Sequence, residues 1–147
     1  MSFAPLDMQP IIEHLRASVP ALDRVEGAAE YNQVKALSDF RIGTAYVVLA
    51  NERNPVGAAP QARRAASADS IFGVVLVARN YRDQSGAEAL QDLGPLIGGV
   101  RQALVEWDAP GMDAIRWLQG DAVDSDASRV LWIDVFTTTH VLRGTKS

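Results

Sequence analysis

The sequence predicts an α+β fold: a mixed or antiparallel β-sheet packed by one long helix and a helix near the N-terminus. Three observations predict it. Two long strand-forming runs, Phe72 to Tyr81 and Val130 to His140, flank one long helical stripe. The strand candidates are grouped and the helices are few, which suggests α+β. The strand runs are also apolar on both faces. On the last run Leu131, Ile133, Val135 and Val141 point one way, while Trp132, Phe136 and Leu142 point the other, because side chains alternate along a strand. An antiparallel sheet with one solvated face should alternate apolar with polar. Both faces therefore need a cover, and few helices supply it. That points to a subunit of an assembly rather than to an enzyme.

Each element has its own signal. Met8 to Ser18 reads as the first helix, with Ile11, Ile12, Leu15 and Val19 at helical spacing and Asp7 placed to cap the start. Pro20 ends it. Leu22 to Glu26 is a short strand candidate. Ala28 to Leu37 reads as a short helix with Tyr31, Val34 and Leu37 on one side. Thr44 to Ala50 is a strand rich in β-branched and aromatic residues. Asn51 to Ser70 carries Pro55, Gly57 and Pro60 and reads as a long loop, or as a ribbon whose second half extends the next strand. After Asp83, the residues Leu90, Leu93, Ile97, Val100, Leu104 and Trp107 follow at intervals of 3, 4, 3, 4 and 3, a continuous helical stripe. Pro95 lies inside that stripe and predicts a kink or a restart. Gly98 and Gly99 suggest close approach to a neighbouring backbone. Ala114 to Gln119 and Arg129 to Arg143 then read as a closing hairpin joined by an acidic turn.

A chain of 147 residues is expected to be one domain over its whole length, 1–147, with a core that needs no staples. Apolar residues at 48% and charged residues at 22% exclude wholesale disorder. The absence of cysteine excludes disulfides, thiolate chemistry, cysteine-ligated zinc and iron–sulfur clusters. A net charge of −4 argues against general nucleic-acid binding. The start Met1-Ser-Phe-Ala-Pro-Leu-Asp7 lacks the pattern of a signal peptide, and no apolar run approaches the ~18 residues of a membrane span.

No constellation carries catalysis. His14 and His140 are the only histidines. His14 is expected to face water, and neither has an orienting carboxylate or a nucleophile marked in the sequence. Asp121, Asp124 and Asp126 make an acidic cluster, but the glycine of a calcium loop is misplaced and its closing glutamate is missing. A hairpin turn explains them better. Gly94 to Gly99 lacks the lysine and the preceding strand of a phosphate loop. No cofactor and no metal are expected. The interface candidates are Arg53, Arg63 and Arg64, whose guanidinium groups suit an acidic partner, and Trp117, an aromatic on an exposed-looking segment. Trp107 and Trp132 are read as core.

The strand Phe72-Gly-Val-Val-Leu-Val-Ala-Arg-Asn80, the Ala-Leu-x-x-Leu helix from Ala89, the ending Val130-Leu-Trp-Ile-Asp-Val-Phe-Thr-Thr-Thr-His-Val-Leu-Arg143 and the opening Ile11 to Val25 resemble tail terminator proteins of long-tailed, siphovirus-type bacteriophages. The likeness covers nearly the whole chain, and its motifs are structural. Two positions depart from the pattern: tyrosine often stands where this chain has His140, and the helix is usually without Pro95. The resemblance implies a virion protein made in the host bacterial cytoplasm and placed at the head-proximal end of the tail. It implies a homo-oligomer, a hexameric ring, that caps the tail tube protein, stops polymerisation and meets the head–tail connector protein. It implies no membrane and no sequence-specific nucleic acid, with DNA free to pass through the ring. A closed ring repeats one heterologous contact, and the family has no signature that assigns residues to it. Two other readings compete: a head–tail connector or neck protein of related fold, and a small ligand-binding α+β domain, which needs convergent polar groups in a pocket.

Overall fold

The computed structural model describes residues 4–54, 65–79, 86–126 and 128–143. Its elements are α1 (Gln9–Ser18), β1 (Arg24–Glu26), α2 (Ala28–Gln33), a 3-10 turn (Leu37–Asp39), β2 (Thr44–Arg53), β3 (Ala65–Arg79), α3 (Gly86–Val105), β4 (Arg116–Ser125) and β5 (Arg129–Arg143). The architecture is α+β. The five strands form one mixed sheet in the order β1-β2-β3-β5-β4. Only β1 runs parallel to its neighbour β2. The other pairs are antiparallel.

Local sequence explains the element ends. The Asp7 carboxylate accepts the Gln9 N–H at 3.0 Å, and Pro10 sits in the first turn of α1, where a missing N–H loses nothing. Gly43 has φ +89, a backbone region open to glycine; it leads the chain into β2, and its carbonyl accepts the Asp23 N–H at 2.8 Å. A Cβ there would lie 2.8 Å from an Asp23 carboxylate oxygen. α3 runs unbroken from Gly86 to Val105 with Pro95 inside it, so there is no restart at the proline. Gly99 makes the close approach expected of it: a Cβ there would meet the side chain of Val19, just past the end of α1, at 3.3 Å. Gly98 has open space and no such role.

One face of the sheet carries the main core. Ile11 and Leu15 of α1 and Val100 and Leu104 of α3 close over Phe72, Val74 and Leu76 of β3 and Phe136 of β5. The Phe72 and Phe136 rings stack with centroids 5.6 Å apart. Both are fully buried, which stabilises by about 2–3 kcal/mol per ring. The second face holds a smaller cluster. Tyr46, Val75, Val77 and Leu131 lie under Tyr31, Val34, Leu37 and Phe40. Burial raises the Tyr46 pKa, and the nearby Glu26 carboxylate raises it further.

Three expectations are corrected here. The second face is not left without a cover, because the segment from α2 through the 3-10 turn lies on it, held by an Arg129 Nε–H donated to the Phe40 carbonyl at 2.7 Å. Ile71, Val135 and Val141, farther along that face, remain half-buried. The segment that begins at Ala114 does not stop at Gln119. β4 runs to Ser125, so Asp121 and Asp124 belong to a strand. Asp126 does the work of a turn, accepting the Ser128 and Arg129 N–H groups at 2.7 Å. The segment read as a loop or ribbon over residues 51–70 begins and ends as strand within the sheet: β2 reaches Arg53 and β3 starts at Ala65, while Arg63 and Arg64 lie outside the described residues.

Candidate interaction surface

The two edges of the sheet differ. β1 is three residues long, and its outward Val25 carbonyl accepts Arg16 Nη2–H at 2.7 Å and Nε–H at 3.2 Å. That guanidinium occupies the acceptor a further strand would need. β4 is ten residues long, and every residue except half-buried Gly120 is exposed. Trp117, Leu118 and Val123 are 44%, 47% and 52% exposed. A long exposed edge with apolar side chains is a template for pairing with another chain. Register shifts at Leu118 and Val123 limit regular pairing to the stretch between them.

A buried polar hub fixes this edge to the body. Asp134 on β5 has no exposure. Its carboxylate accepts Arg101 Nε–H at 2.8 Å and Nη2–H at 2.9 Å, a bidentate pair. It also accepts the indole N–H of Trp132 at 2.9 Å and that of Trp117 at 3.3 Å. The Arg101 guanidinium lies 4.3 Å from the Trp117 ring centroid, a cation–π contact. Gly120 leaves room for this: a Cβ there would come within 2.6 Å of Asp134 Oδ1 and of the Trp132 ring. So Trp117, the aromatic candidate, stands at the edge with its ring held in place and much of its surface in solvent. Sequence reasoning missed Arg101 and Asp134, which lie 33 residues apart on a helix and a strand.

A groove of about 340 Å³ opens beside β4 on the second face. Val34, Lys35 and Leu37 form one wall, and Val123, Asp124 and Leu131 form the other. Arg53, at the far end of β2, is exposed. Trp117 and Arg53 do not come together: they sit on strands separated by β3 and β5.

A second polar hub lies at the Arg53 end. One Glu52 oxygen accepts the Leu6 N–H at 2.9 Å, the Ser70 hydroxyl, and His140 Nε2 at 2.7 Å. His140 thus has the carboxylate partner that the sequence did not mark. The set is not a nucleophilic triad, because Ser70 donates to Glu52 and not to the imidazole. Burial pushes the Glu52 carboxyl up, but the Ser70, Leu6 and His140 contacts outweigh it and hold the pKa below its ordinary 4.5. A depressed carboxylate adds stability that is present above the unfolded-state pKa and lost as pH falls through the folded-state one. Urea unfolding from neutral pH down to pH ~3 should therefore show wild type losing stability more steeply than Glu52→Gln. Parallel slopes would contradict this account. His14 corrects another expectation: its ring stacks on Trp107 with centroids 4.0 Å apart and meets the Ala103 carbonyl at 2.9 Å, so it joins α1 to α3.

Among the described residues, no group of three or more His, Asp or Glu could hold a metal ion. No described helix is long and apolar enough to cross a membrane. A family model described as phage tail terminator protein matches residues 1–146. The chain belongs to that family. The tail terminator is accordingly a structural, non-enzymatic component of the virion tail that works with other tail and head proteins. A search of curated proteins found no match.

Proposed function

We propose that this tail terminator caps the head-proximal end of the tail tube as a ring, six subunits in number, stops addition of tube protein, and offers the head connector its attachment surface. The family match over residues 1–146 carries this reading. The two unequal sheet edges support it, since a surface with one open side suits a contact between unlike faces, and such a contact closes into a ring. The contact residues we assign are Trp117 and Arg53 on the described surface, with Arg63 and Arg64 beyond it.

Tube assembly in the presence and absence of the purified chain tests the proposal. Tubes grown without it should be overlong and should not join heads. Adding it should give uniform lengths and, in negative stain, a ring-shaped density at one end. Tubes of unchanged length with bare ends would refute the capping role. Solution mass across micromolar concentrations measures whether the ring forms alone or only on the tube.

A further inference from the structure

We infer that the Glu52 carboxylate is a proton-controlled latch on the N-terminal strap, residues 4–8, and that losing its charge frees the strap while the sheet stays folded. Three donors converge on one oxygen, Glu52 Oε2: the Leu6 N–H at 2.9 Å, the Ser70 hydroxyl, and His140 Nε2 at 2.7 Å. Ser70 and His140 are buried and belong to β3 and β5, inside the sheet. Of the three donors, only Leu6 comes from outside the sheet. The bulge between Leu49 and Asn51 turns Glu52 onto the main face, level with Ser70, where its carboxylate meets the strap.

The strap buries little. Ala4, Pro5 and Asp7 are exposed, and Leu6 and Met8 are half-buried. The helix that follows is anchored separately, by fully buried Ile11 and Leu15 and by the Met8 carbonyl, which accepts the Ile12 N–H at 3.0 Å. The ladders from β2 to β3 and from β3 to β5 form without the strap. Segments with little buried apolar area open locally, at a lower free energy than global unfolding. Opening therefore hinges at Met8 and leaves α1 and the sheet in place.

The chemistry of the hub assigns the control to Glu52. An ionised carboxylate only accepts, so His140 carries its hydrogen on Nε2. A neutral imidazole in that tautomer and an imidazolium both keep the hydrogen, so proton uptake by His140 leaves the latch closed. Proton uptake by Glu52 opens it, because a charge-assisted hydrogen bond is roughly twice as strong as a neutral one. Burial pushes the Glu52 carboxyl up, and the Ser70, Leu6 and His140 contacts outweigh it and hold the pKa below 4.5. The latch is thus closed above the ordinary value and opens as pH falls through the depressed, folded-state one. The Glu52 side chain keeps 18% exposure, so a proton reaches it without unfolding. Other charged groups nearby face elsewhere. Arg53 and Asp69 are level with each other on the opposite face, and Asp69 accepts the Thr139 hydroxyl at 2.6 Å. Asp7 accepts the Gln9 N–H, and exposed Asp113 offers Thr138 its backbone carbonyl.

The chain has no cysteine, so one introduced thiol places a spin label at a chosen position. Ala4→Cys reports the strap, and Gln102→Cys, exposed on α3, reports the body. Electron paramagnetic resonance line shapes are read from pH ~7 to pH ~3 beside circular dichroism. The expected result is a mobile component at Ala4→Cys that grows roughly tenfold below the ordinary carboxyl range, while the Gln102→Cys signal and the dichroism hold. Adding Glu52→Gln, which keeps the shape and removes the charge, should make the strap mobile at neutral pH and insensitive to pH. Adding Ser70→Ala removes a contact that holds the carboxyl down, so the opening should move to higher pH. A step between pH ~7 and pH ~5 in the wild-type background would hand the latch to His140 and overturn the inference. Strap and body loosening together would overturn it too, as would a Glu52→Gln strap no more mobile than its parent at neutral pH. Should Glu52→Gln misfold, an opening pH unmoved by Ser70→Ala refutes the latch on its own.

Discussion

Replacing Arg101 with alanine should destabilise the fold by about 3–5 kcal/mol, the range for stripping one partner from a buried ion pair. The asymmetry of the pair sets the expectation. Asp134 has no exposure, whereas the Arg101 side chain keeps 35%. Without Arg101, a fully buried carboxylate keeps only the Trp132 and Trp117 indole donors. Desolvation of a charge is then poorly offset. The reverse change is milder. With Asp134→Asn, Arg101 can turn toward water, and the amide oxygen still accepts one indole N–H. We expect about 1–3 kcal/mol for it. The double variant should be more stable than Arg101→Ala alone, because it no longer buries an unmatched charge. Urea midpoints of the four proteins close the cycle. If Arg101→Ala and Asp134→Asn differ by less than about 0.5 kcal/mol, burial of the carboxylate is not what makes the hub matter.

That hub also shows where the sequence was legible and where it was not. Periodicity exposed the helix around Ile97, Val100 and Leu104, since its spacing follows from helix geometry alone. The two central strands were readable because their runs are long and β-branched. β4 was not. Its residues Gly120, Asp121, Ser125 and the nearby Asp126 carry turn chemistry, and pairing with β5 overrides their weak local preference. The cover on the second face was missed for a related reason. α2 and the 3-10 turn are too short to announce a face, yet Tyr31, Val34, Leu37 and Phe40 converge on Tyr46 once the chain is folded. Glu52, Ser70 and His140 meet across three strands, a contact that no local pattern encodes. Of the interface candidates, Trp117 and Arg53 are exposed among the described residues, and the difference between the two sheet edges depends on strand order, which no local pattern encodes.

Phe136→Ala and Trp117→Ala should separate folding from assembly, although the two residues face each other directly across the β4–β5 ladder. Phe136 is fully buried and stacks on Phe72 in the main core. Truncating it removes apolar contacts and opens a cavity that neighbours on β3 and α3 cannot close, at about 3–5 kcal/mol. Against a typical total of about 5–15 kcal/mol, that is enough to populate the unfolded chain. Trp117 sits one strand farther out. The residue keeps 44% exposure, its N–H reaches Asp134 at 3.3 Å, and the Arg101 side chain over its ring is 35% exposed. Losing it should cost about 1 kcal/mol of stability. At an interface, however, an exposed and preorganised aromatic can contribute 2 kcal/mol or more to association. The expected pattern is opposed: Phe136→Ala lowers the melting midpoint sharply, while Trp117→Ala leaves it within a few degrees and weakens capping of tube ends at least tenfold. Thermal unfolding and a tube-length assay on the same preparations read the two effects. A Trp117→Ala protein that caps tubes as well as wild type would remove Trp117 from the contact and confine its role to the hub on Asp134.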